Sequence, residues 1–248
     1  MGRRRGGWAV AWAGLTWFDA PERDRVGWAD SARAGGAEEA AASGLVLRGG
    51  EIHRHLGEGM DDRARLFEIL VARSFRRGDF VLASGKRSST YLDCRLTTLD
   101  PEGMTLVGRI LYERYRALFQ DAGRPGVLAV AGPSIGADPI TVSVCHEAWR
   151  RGESLFGLLV RKEAKAHGTG RQVEGADNVP AGSRVLLVED VVTSGGSSVR
   201  SVVALQEAGY EVAQALCLVD RGAGGGERFA EAGVPFEAIY AFEEFLKL

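Results

Sequence analysis

The sequence has little net charge, few cysteines and no apolar run long enough to span a bilayer. Its 248 residues carry 31 lysines and arginines against 33 acids, a formal charge of −2, so no broad basic surface for nucleic acid is expected. Cys94, Cys145 and Cys217 are odd in number, far apart and in no CxxC pair. This pattern argues against a disulfide framework and a thiolate zinc site. We therefore expect a cytoplasmic protein without a nucleic-acid or membrane partner.

The composition is that of a globular protein. Hydrophobic residues make up 45% and charged residues 26% of the chain, close to the average for folded domains. These values exclude a chain that is disordered, collagen-like or a coiled coil throughout. The length suits one sizeable α/β domain or two small ones.

The first 59 residues differ in composition from the rest. They contain four of the five tryptophans and no lysine, and they show no helical or strand period. Arginines at 3–5 before the apolar stretch 8–18 imitate an export signal, but no small-x-small cleavage site follows cleanly. We expect either a disordered extension or a true start at Met60, and one domain over residues 60–248.

From residue 60 onward, apolar runs alternate with amphipathic segments. Asp61 and Asp62 are expected to cap a helix over Arg63 to Arg77. Two short strands, Phe80 to Leu82 and one near Tyr91, are expected to follow it and to form a small hairpin. Further helices are predicted over residues 100–120, 136–150 and 198–208. Apolar strands are predicted over residues 127–131, 155–160, 185–188, 212–219 and 236–240. Such alternation indicates an α/β fold with a mostly parallel sheet that is covered on both faces.

Three unusual segments fall at the carboxyl ends of these strands. They are Gly132 to Gly136, the basic and glycine-rich Arg161 to Gly175, and Glu189 to Ser197. A long loop inside a compact domain is typically functional. Because ligands of parallel sheets bind at the carboxyl ends of the strands, we expect the three segments to converge on one site.

The most informative segment is Val185 to Ser197, an apolar run followed by two acids and a Thr-Ser-Gly-Gly-Ser turn. The turn can direct backbone N–H groups and hydroxyls at a phosphate held at the start of the next helix. Glu189 and Asp190 suit ribose hydroxyls, or a Mg²⁺ shared with a sugar pyrophosphate. A sugar phosphate is the natural ligand, and the alternative is an ordinary strand-to-helix turn.

This segment resembles the ribose-phosphate loop of the type I phosphoribosyltransferases, which use 5-phosphoribosyl 1-pyrophosphate. Arg161 to Gly170 resembles the mobile catalytic loop of one branch, the orotate phosphoribosyltransferases, and Phe80 to Lys86 and Leu218 to Arg221 are similar to that branch as well. The resemblance covers about residues 61–245. It implies the type I phosphoribosyltransferase fold with a small N-terminal hood of hairpin and helix. It also implies formation of orotidine 5′-monophosphate and pyrophosphate from orotate, a step of pyrimidine biosynthesis.

The resemblance also implies roles for individual residues. Lys165 and His167 are the expected catalytic residues. Phosphoribosyl pyrophosphate is expected to contact Arg161, Lys162, Lys165, His167, Glu189, Asp190, Val191, Val192, Thr193, Ser194, Gly195, Gly196 and Ser197. Orotate is expected to contact Thr193, Arg221 and Lys86. Mg²⁺ is expected to bind through the pyrophosphate rather than directly to protein ligands, and the catalytic loop to reach across a homodimer.

Structural explanations stand beside these roles. The basic loop at 161–167 is also compatible with a solvated surface, and Lys86 with a solvated lysine. Asp220 and Arg221 are also compatible with an ion pair at a strand end. Gly222 and Ala223 replace the acid that often follows this arginine in the family.

Two lysines found in some family members are absent. Ala83 stands where one precedes the Ser-Gly pair, and Gly136 stands where another follows the Gly-Pro turn. Two pyrophosphate or orotate contacts are therefore missing or supplied otherwise. Asp138 is a candidate for holding Mg²⁺ through water, although an acid in the first turn of a helix is a sufficient structural explanation.

Two other functions fit part of the pattern. A phosphoribosyltransferase for a purine base would share the phosphate loop, but the Lys162 to Gly168 segment is not expected in it. A regulator that senses the sugar pyrophosphate would also share the loop. No helix-turn-helix pattern or basic face supports the regulator, and a protein without catalysis has little need for the loop cations.

Overall fold

The computed structural model describes residues 61–81, 85, 87–120, 122–123, 126–163 and 171–248. The predictions for residues 1–59, Ala83, Lys86, Lys165 and His167 lie outside these residues. A domain boundary near residue 60 and the roles of those side chains therefore stay predictions.

A helix and a two-stranded hairpin precede the main sheet. They consist of α1 (Asp62–Ile69), a π-helical turn (Leu70–Ser74), β1 (Phe75–Val81) and β2 (Arg87–Leu92). The two strands pair antiparallel with an irregularity between Arg77 and Phe80. The predicted hood of helix and hairpin is thus confirmed.

The helical part of the hood is shorter than predicted. Asp61 caps it as expected, because its carboxylate accepts the Arg63 N–H at 3.3 Å. The prediction that the helix continues to Arg77 is wrong, since Phe75 already pairs with Leu92 in the hairpin. Tertiary strand pairing overrides the helical pattern at these residues.

Six strands form the main sheet, in the order β5, β4, β3, β6, β7, β8. Their bounds are β3 (Ala129–Pro133), β4 (Phe156–Val160), β5 (Val173–Glu174), β6 (Arg184–Val192), β7 (Glu211–Asp220) and β8 (Phe236–Ala241). Every neighbouring pair is parallel except β4 and β5. The mostly parallel sheet is confirmed. The short antiparallel strand β5 was not predicted, because it lies in the polar segment that was expected to be a loop.

Helices cover both faces of this sheet. They are α2 (Arg95–Thr98), α3 (Pro101–Tyr115), α4 (Asp138–Arg150), α5 (Gly196–Glu207), α6 (Gly225–Glu231) and α7 (Phe242–Leu246). A π-helical turn (Arg116–Gln120) extends α3, as the prediction to residue 120 requires. The sequence did not predict α2, α6 and α7, which are seven residues or shorter.

The core forms two hydrophobic clusters, one on each face. Successive residues of β6 alternate between them: Leu186 and Val188 join the cluster with α1, α3 and α4, whereas Val185 and Leu187 join the cluster with α5 and α6. All four are 1% exposed or less. This alternation follows from the two-residue period of a strand, so β6 is held between both cores.

Strand β6 also extends farther than its apolar run predicted. It continues to Val192 rather than ending at Val188, because Val191 and Val192 still pair with Val219 and Asp220 on β7. The two acids therefore lie within a paired, buried strand. Their backbone is fixed before the turn begins.

Candidate functional site

Two of the three segments that were predicted to converge, Gly132 to Gly136 and Glu189 to Ser197, meet at the carboxyl edge of the sheet. A Cβ at Gly136 would lie 2.8 Å from Oδ1 of Asp190, so the turn after β3 touches the acid pair of β6. The base of the third segment lies beside the first, because the Ser134 N–H donates to the Val160 carbonyl at 2.9 Å.

The described part of the basic loop is its anchored base. The Arg161 N–H donates to the Gln172 carbonyl at 2.9 Å, and the Gln172 side chain donates back to the Arg161 carbonyl at 2.9 Å. The Arg161 guanidinium also pairs with Glu174 at 3.3 Å. Arg161 and Lys162 are exposed, whereas residues 164–170 are outside the described part.

The acid pair consists of one buried and one half-buried carboxylate. Glu189 is 6% exposed, and its Oε2 accepts a hydrogen bond from the Ser198 hydroxyl at 2.8 Å. Burial raises the pKa of Glu189, and the negative charge of Asp190 raises it further. Burial also raises the pKa of Asp190, whose Oδ1 accepts the Val191 N–H at 2.8 Å. Hydrogen-bond donors or a cation brought to this pair would stabilise its ionised form.

The turn after β6 leads directly into α5. Gly195 has φ +70°, and a Cβ there would lie 3.2 Å from the backbone of Gly225, so this position favours glycine for both conformation and space. Thr193 and Ser194 are exposed beside the first residues of the helix. Their hydroxyls and the free N–H groups of the helix start can receive a phosphate.

The turn is flanked by arginines that the sequence did not single out. The Nη1 atoms of Arg228 and Arg200 lie 3.1 and 3.7 Å from the Cβ position of Gly196. Arg228 lies on α6 and Arg200 lies on α5. The sequence analysis missed Arg228 because it did not predict α6.

Arg221 follows β7 at the same edge. Its N–H donates to the Val192 carbonyl at 2.8 Å, which places it beside Thr193, and its guanidinium lies over the Phe242 ring at 4.5 Å. The Asp220 carboxylate accepts the Gly222 N–H at 3.0 Å. Among the described residues Arg221 thus stacks on an aromatic ring and does not pair with Asp220.

A pocket of about 380 Å³ opens between the hood and this edge of the sheet, and we call it the edge pocket. It is lined by Tyr91, Leu92, Asp93, Arg95, Ser134, Ile135, Gly136, Asp190 and Val191. The sequence prediction included Gly136, Asp190 and Val191 but missed Asp93 and Arg95. Their position could have revealed them, because an acid and an arginine two residues apart directly follow the second strand of the hairpin.

Asp138 forms the polar contact expected at a helix start. It is the first residue of α4, and its Oδ1 accepts a hydrogen bond from the Ser134 hydroxyl at 2.9 Å. The contact agrees with the structural explanation for this acid. Over the described ranges, no group of three or more His, Cys, Asp and Glu side chains is arranged to hold a metal ion.

Comparison with known proteins gives consistent matches. Residues 99–244 match the sequence model of the phosphoribosyl transferase domain. An orotate phosphoribosyltransferase of Rhodopirellula baltica is 44% identical over 186 residues, which are 74% of this chain and 94% of that protein.

Solved structures are similar as well. The orotate phosphoribosyltransferase of Mycobacterium tuberculosis H37Rv, in complex with Fe(III) dicitrate, superposes with a TM-score of 0.64 at 34% identity, over 75% of this chain and 99% of the other. A structure of the same enzyme with 5-phospho-α-D-ribosyl 1-diphosphate gives a TM-score of 0.60 at 30% identity, over 75% and 99% of the two chains.

Proposed function

Since this chain belongs to the orotate phosphoribosyltransferase family, with the type I phosphoribosyltransferase fold, we propose that its carboxyl-edge site joins orotate to ribose 5-phosphate. The substrates are orotate and 5-phosphoribosyl 1-pyrophosphate, and the products are orotidine 5′-monophosphate and pyrophosphate. The predicted fold, enzyme class and activity are confirmed at the level of the family. The observation that carries the function is the junction of β6, its acid pair and the turn into α5, next to the edge pocket.

The turn and the acid pair divide the binding of the sugar phosphate between them. Residues 193–197 hold the 5-phosphate through hydroxyls and the N–H groups at the start of α5. Glu189 and Asp190 accept hydrogen bonds from ribose hydroxyls. The fixed strand backbone under both groups supports this assignment, because little rearrangement is needed on binding.

Mg²⁺ fits this site as a partner of the pyrophosphate. Asp190 is half-buried, lines the edge pocket and has a raised pKa, so a nearby divalent cation would stabilise its ionised form. When bound, Mg²⁺ neutralises part of the pyrophosphate charge. In this proposal Asp190 and Glu189 orient the bound substrate.

Catalysis requires cations near the leaving group. Positive charge builds on the ribose ring and negative charge on the departing pyrophosphate, so cations placed there stabilise the transition state. We assign this work to Arg161, Lys162, Lys165 and His167, with Lys165 as the main catalytic residue. The anchored base at Arg161 supports a loop that closes over the site and excludes water.

Orotate is held from the β7 side of the site. Arg221 suits the carboxylate or carbonyl oxygens of the base, and its stacking on Phe242 restricts its orientation. The Arg221 N–H donates to the carbonyl of Val192, which places Arg221 beside the next residue, Thr193. Lys86 is a further proposed contact from the hood.

A homodimer is the proposed assembly. Val142 and Trp149 share one face of α4 and are 60% and 71% exposed. The exposed Leu96 lies on α2, which contacts α4, and the exposed Leu99 directly follows α2. Large exposed apolar side chains grouped in this way are typical of a protein interface. A second copy on this face would let each catalytic loop act at the neighbouring site.

A cytoplasmic location is proposed because the cysteines form no disulfide among the described residues. Cys94, Cys145 and Cys217 are all free thiols, as a reducing compartment requires. Burial raises the pKa of each of them, so they stay neutral and contribute no nucleophile. Within the described residues, no helix combines the length and the apolar character that crossing a bilayer requires.

The test is an assay of orotate absorbance with the full chain, phosphoribosyl pyrophosphate and Mg²⁺. We expect loss of orotate that needs both additions and that falls by about 100-fold or more in Lys165→Ala. Residues 60–248 assayed in parallel should match the full chain. Turnover of adenine or guanine instead would indicate a purine enzyme, and binding without any turnover would favour a sensor of the sugar pyrophosphate.

A further inference from the structure

Arg95 is the one cationic side chain among the described residues that line the edge pocket. Its Nε and Nη2 donate to the two carboxylate oxygens of Asp93, both at 2.8 Å, and its backbone N–H donates to Asp93 Oδ1 at 3.1 Å. This pair fixes the plane of the guanidinium. The side chain is 48% exposed, and the Nη1 hydrogens lie outside the Asp93 contact. Within the described part of the chain these hydrogens have no protein partner, so they can bind a ligand.

Asp93 keeps this arrangement at neutral pH. The hydrogen bonds from Arg95 lower the pKa of Asp93, so its carboxylate is ionised at neutral pH and can pair with Arg95. The negative charge of Asp190 across the pocket contributes to the raised pKa of Arg95. A phosphate group placed between them would meet a cation on the hood side and the acid of β6 on the other side.

Gly136 explains why this cation comes from α2 and not from the same position of the turn after β3. A Cβ at this position would lie 2.8 to 2.9 Å from the carboxylate atoms of Asp190, so a side chain cannot extend from the turn after β3 without moving the acid. Gly136 itself thus brings only backbone to the pocket, beside the uncharged side chains of Ser134 and Ile135. Among the described residues that line the edge pocket, only Arg95 can supply a positive charge to an anionic group there.

We propose that Arg95 binds the pyrophosphate group of the sugar substrate in the edge pocket and supplies the charge that Gly136 does not. A guanidinium suits phosphoryl oxygens because its parallel N–H groups donate in pairs. Pyrophosphate is the expected anion because its charge is larger than that of orotate and grows as the bond to the ribose breaks. The inference rests on the proposed function, of which it names a further substrate-binding residue.

The alternative is that Arg95 and Asp93 are a structural ion pair only. Half-exposed pairs of this kind contribute little to stability, so Arg95→Ala is expected to fold. Arg73 provides a matched control. Its guanidinium also pairs with an aspartate, Asp100, at 3.0 Å, and it is 57% exposed, but it does not line the edge pocket.

The experiment measures binding of inorganic pyrophosphate, ribose 5-phosphate and orotate to the full chain by calorimetry with Mg²⁺. Arg95→Ala should weaken pyrophosphate binding by about tenfold or more, with ribose 5-phosphate and orotate within about twofold of wild type. Arg95→Lys should recover part of the loss, because the charge returns without the paired N–H groups. Arg73→Ala should bind all three ligands as the wild type does.

Steady-state kinetics give a second readout. Arg95→Ala should raise the KM for phosphoribosyl pyrophosphate and lower kcat, whereas the KM for orotate stays near the wild-type value. A loss confined to orotate binding would overturn the pyrophosphate assignment, and so would a variant indistinguishable from Arg73→Ala. An equal loss for all three ligands would also overturn it. If the wild type neither binds pyrophosphate nor turns over orotate, the proposed function itself fails.

Discussion

The Ser198 hydroxyl donates a 2.8 Å hydrogen bond to Glu189, linking the first turn of α5 to the buried acid of β6. Ser198 is 1% exposed and Glu189 is 6% exposed, so this contact is protected from water. A hydrogen bond to a carboxylate favours its ionised form, whereas burial disfavours that form. Burial and the charge of Asp190 prevail, and the pKa of Glu189 is raised.

This raised pKa predicts a pH dependence of stability. The folded state binds more protons than the unfolded state between the ordinary glutamate pKa, near 4.5, and the raised folded value. The contribution of Glu189 to stability is therefore fully present below pH 4.5 and falls as pH rises through the folded pKa. Glu189→Gln removes this titration and keeps an oxygen that can accept the Ser198 hydroxyl.

Urea unfolding of the wild type and Glu189→Gln from pH 5 to about pH 8 measures this effect. The wild type should lose stability relative to the variant as pH rises, by at most about 1.4 kcal/mol per pH unit. A difference that stays constant over this range would show that Glu189 has an ordinary pKa in the folded state.

Gly136→Ala should impair the enzyme through Asp190. The new Cβ would meet the Asp190 carboxylate at 2.8 Å, so the acid must move away from the position that orients the substrate. We expect kcat/KM for phosphoribosyl pyrophosphate to fall about tenfold or more, with a stability loss of about 1–3 kcal/mol. Steady-state assays and urea unfolding measure the two effects.

Gly126→Ala is the matched control for this change. A Cβ at Gly126 meets nothing within 4 Å, so activity and stability should stay near wild type. Equal activity in the two alanine variants would show that Asp190 tolerates displacement, contrary to the role proposed for it.

Sequence patterns predicted the main sheet and, within the site, the acid pair and the turn that follows it. Continuous apolar runs identified the five parallel strands, because strands buried on both faces need apolar residues at every position. The acid pair and its turn were found because both lie in one short segment. Their place inside a paired strand was missed, since the pairing of Val191 and Val192 depends on β7.

The edge pocket could not be predicted in the same way. Arg95 and Asp190 are far apart in the chain and meet only through the fold, and α2, on which Arg95 lies, is only four residues long. Helices of this length carry too little periodicity to recognise. The close approach of Gly136 to Asp190 is likewise a tertiary property, although the sequence did indicate that a lysine is absent there.

Arg221→Ala should weaken orotate binding specifically. The guanidinium lies 4.5 Å from the Phe242 ring centre beside the phosphate turn, so its loss removes a positioned donor for the base. We expect the KM for orotate to rise about tenfold or more and the affinity for ribose 5-phosphate to change little. Kinetics and calorimetry measure the two quantities.

Arg63→Ala is the control for stacking on an aromatic ring. Arg63 lies 4.6 Å from the Tyr240 ring centre, outside the site, and pairs with Glu244 at 2.9 Å. Its removal should leave the KM for orotate unchanged. A similar rise in both variants would mean that Arg221 acts through local stability rather than through contact with orotate.

The proposed dimer face predicts a difference between two valines that are changed in the same way. Val142, on the exposed face of α4, should not tolerate a charge, because in a dimer the carboxylate would be buried without a partner. Val142→Glu should therefore shift the protein towards monomer in light scattering and lower activity, since the loop of each subunit would lose the neighbouring site. Val203→Glu places the same charge on α5, at a residue that is 46% exposed, and should remain dimeric and active. If both variants have the same molar mass in solution as the wild type, the interface lies elsewhere. A wild type that is monomeric and fully active would exclude a shared site.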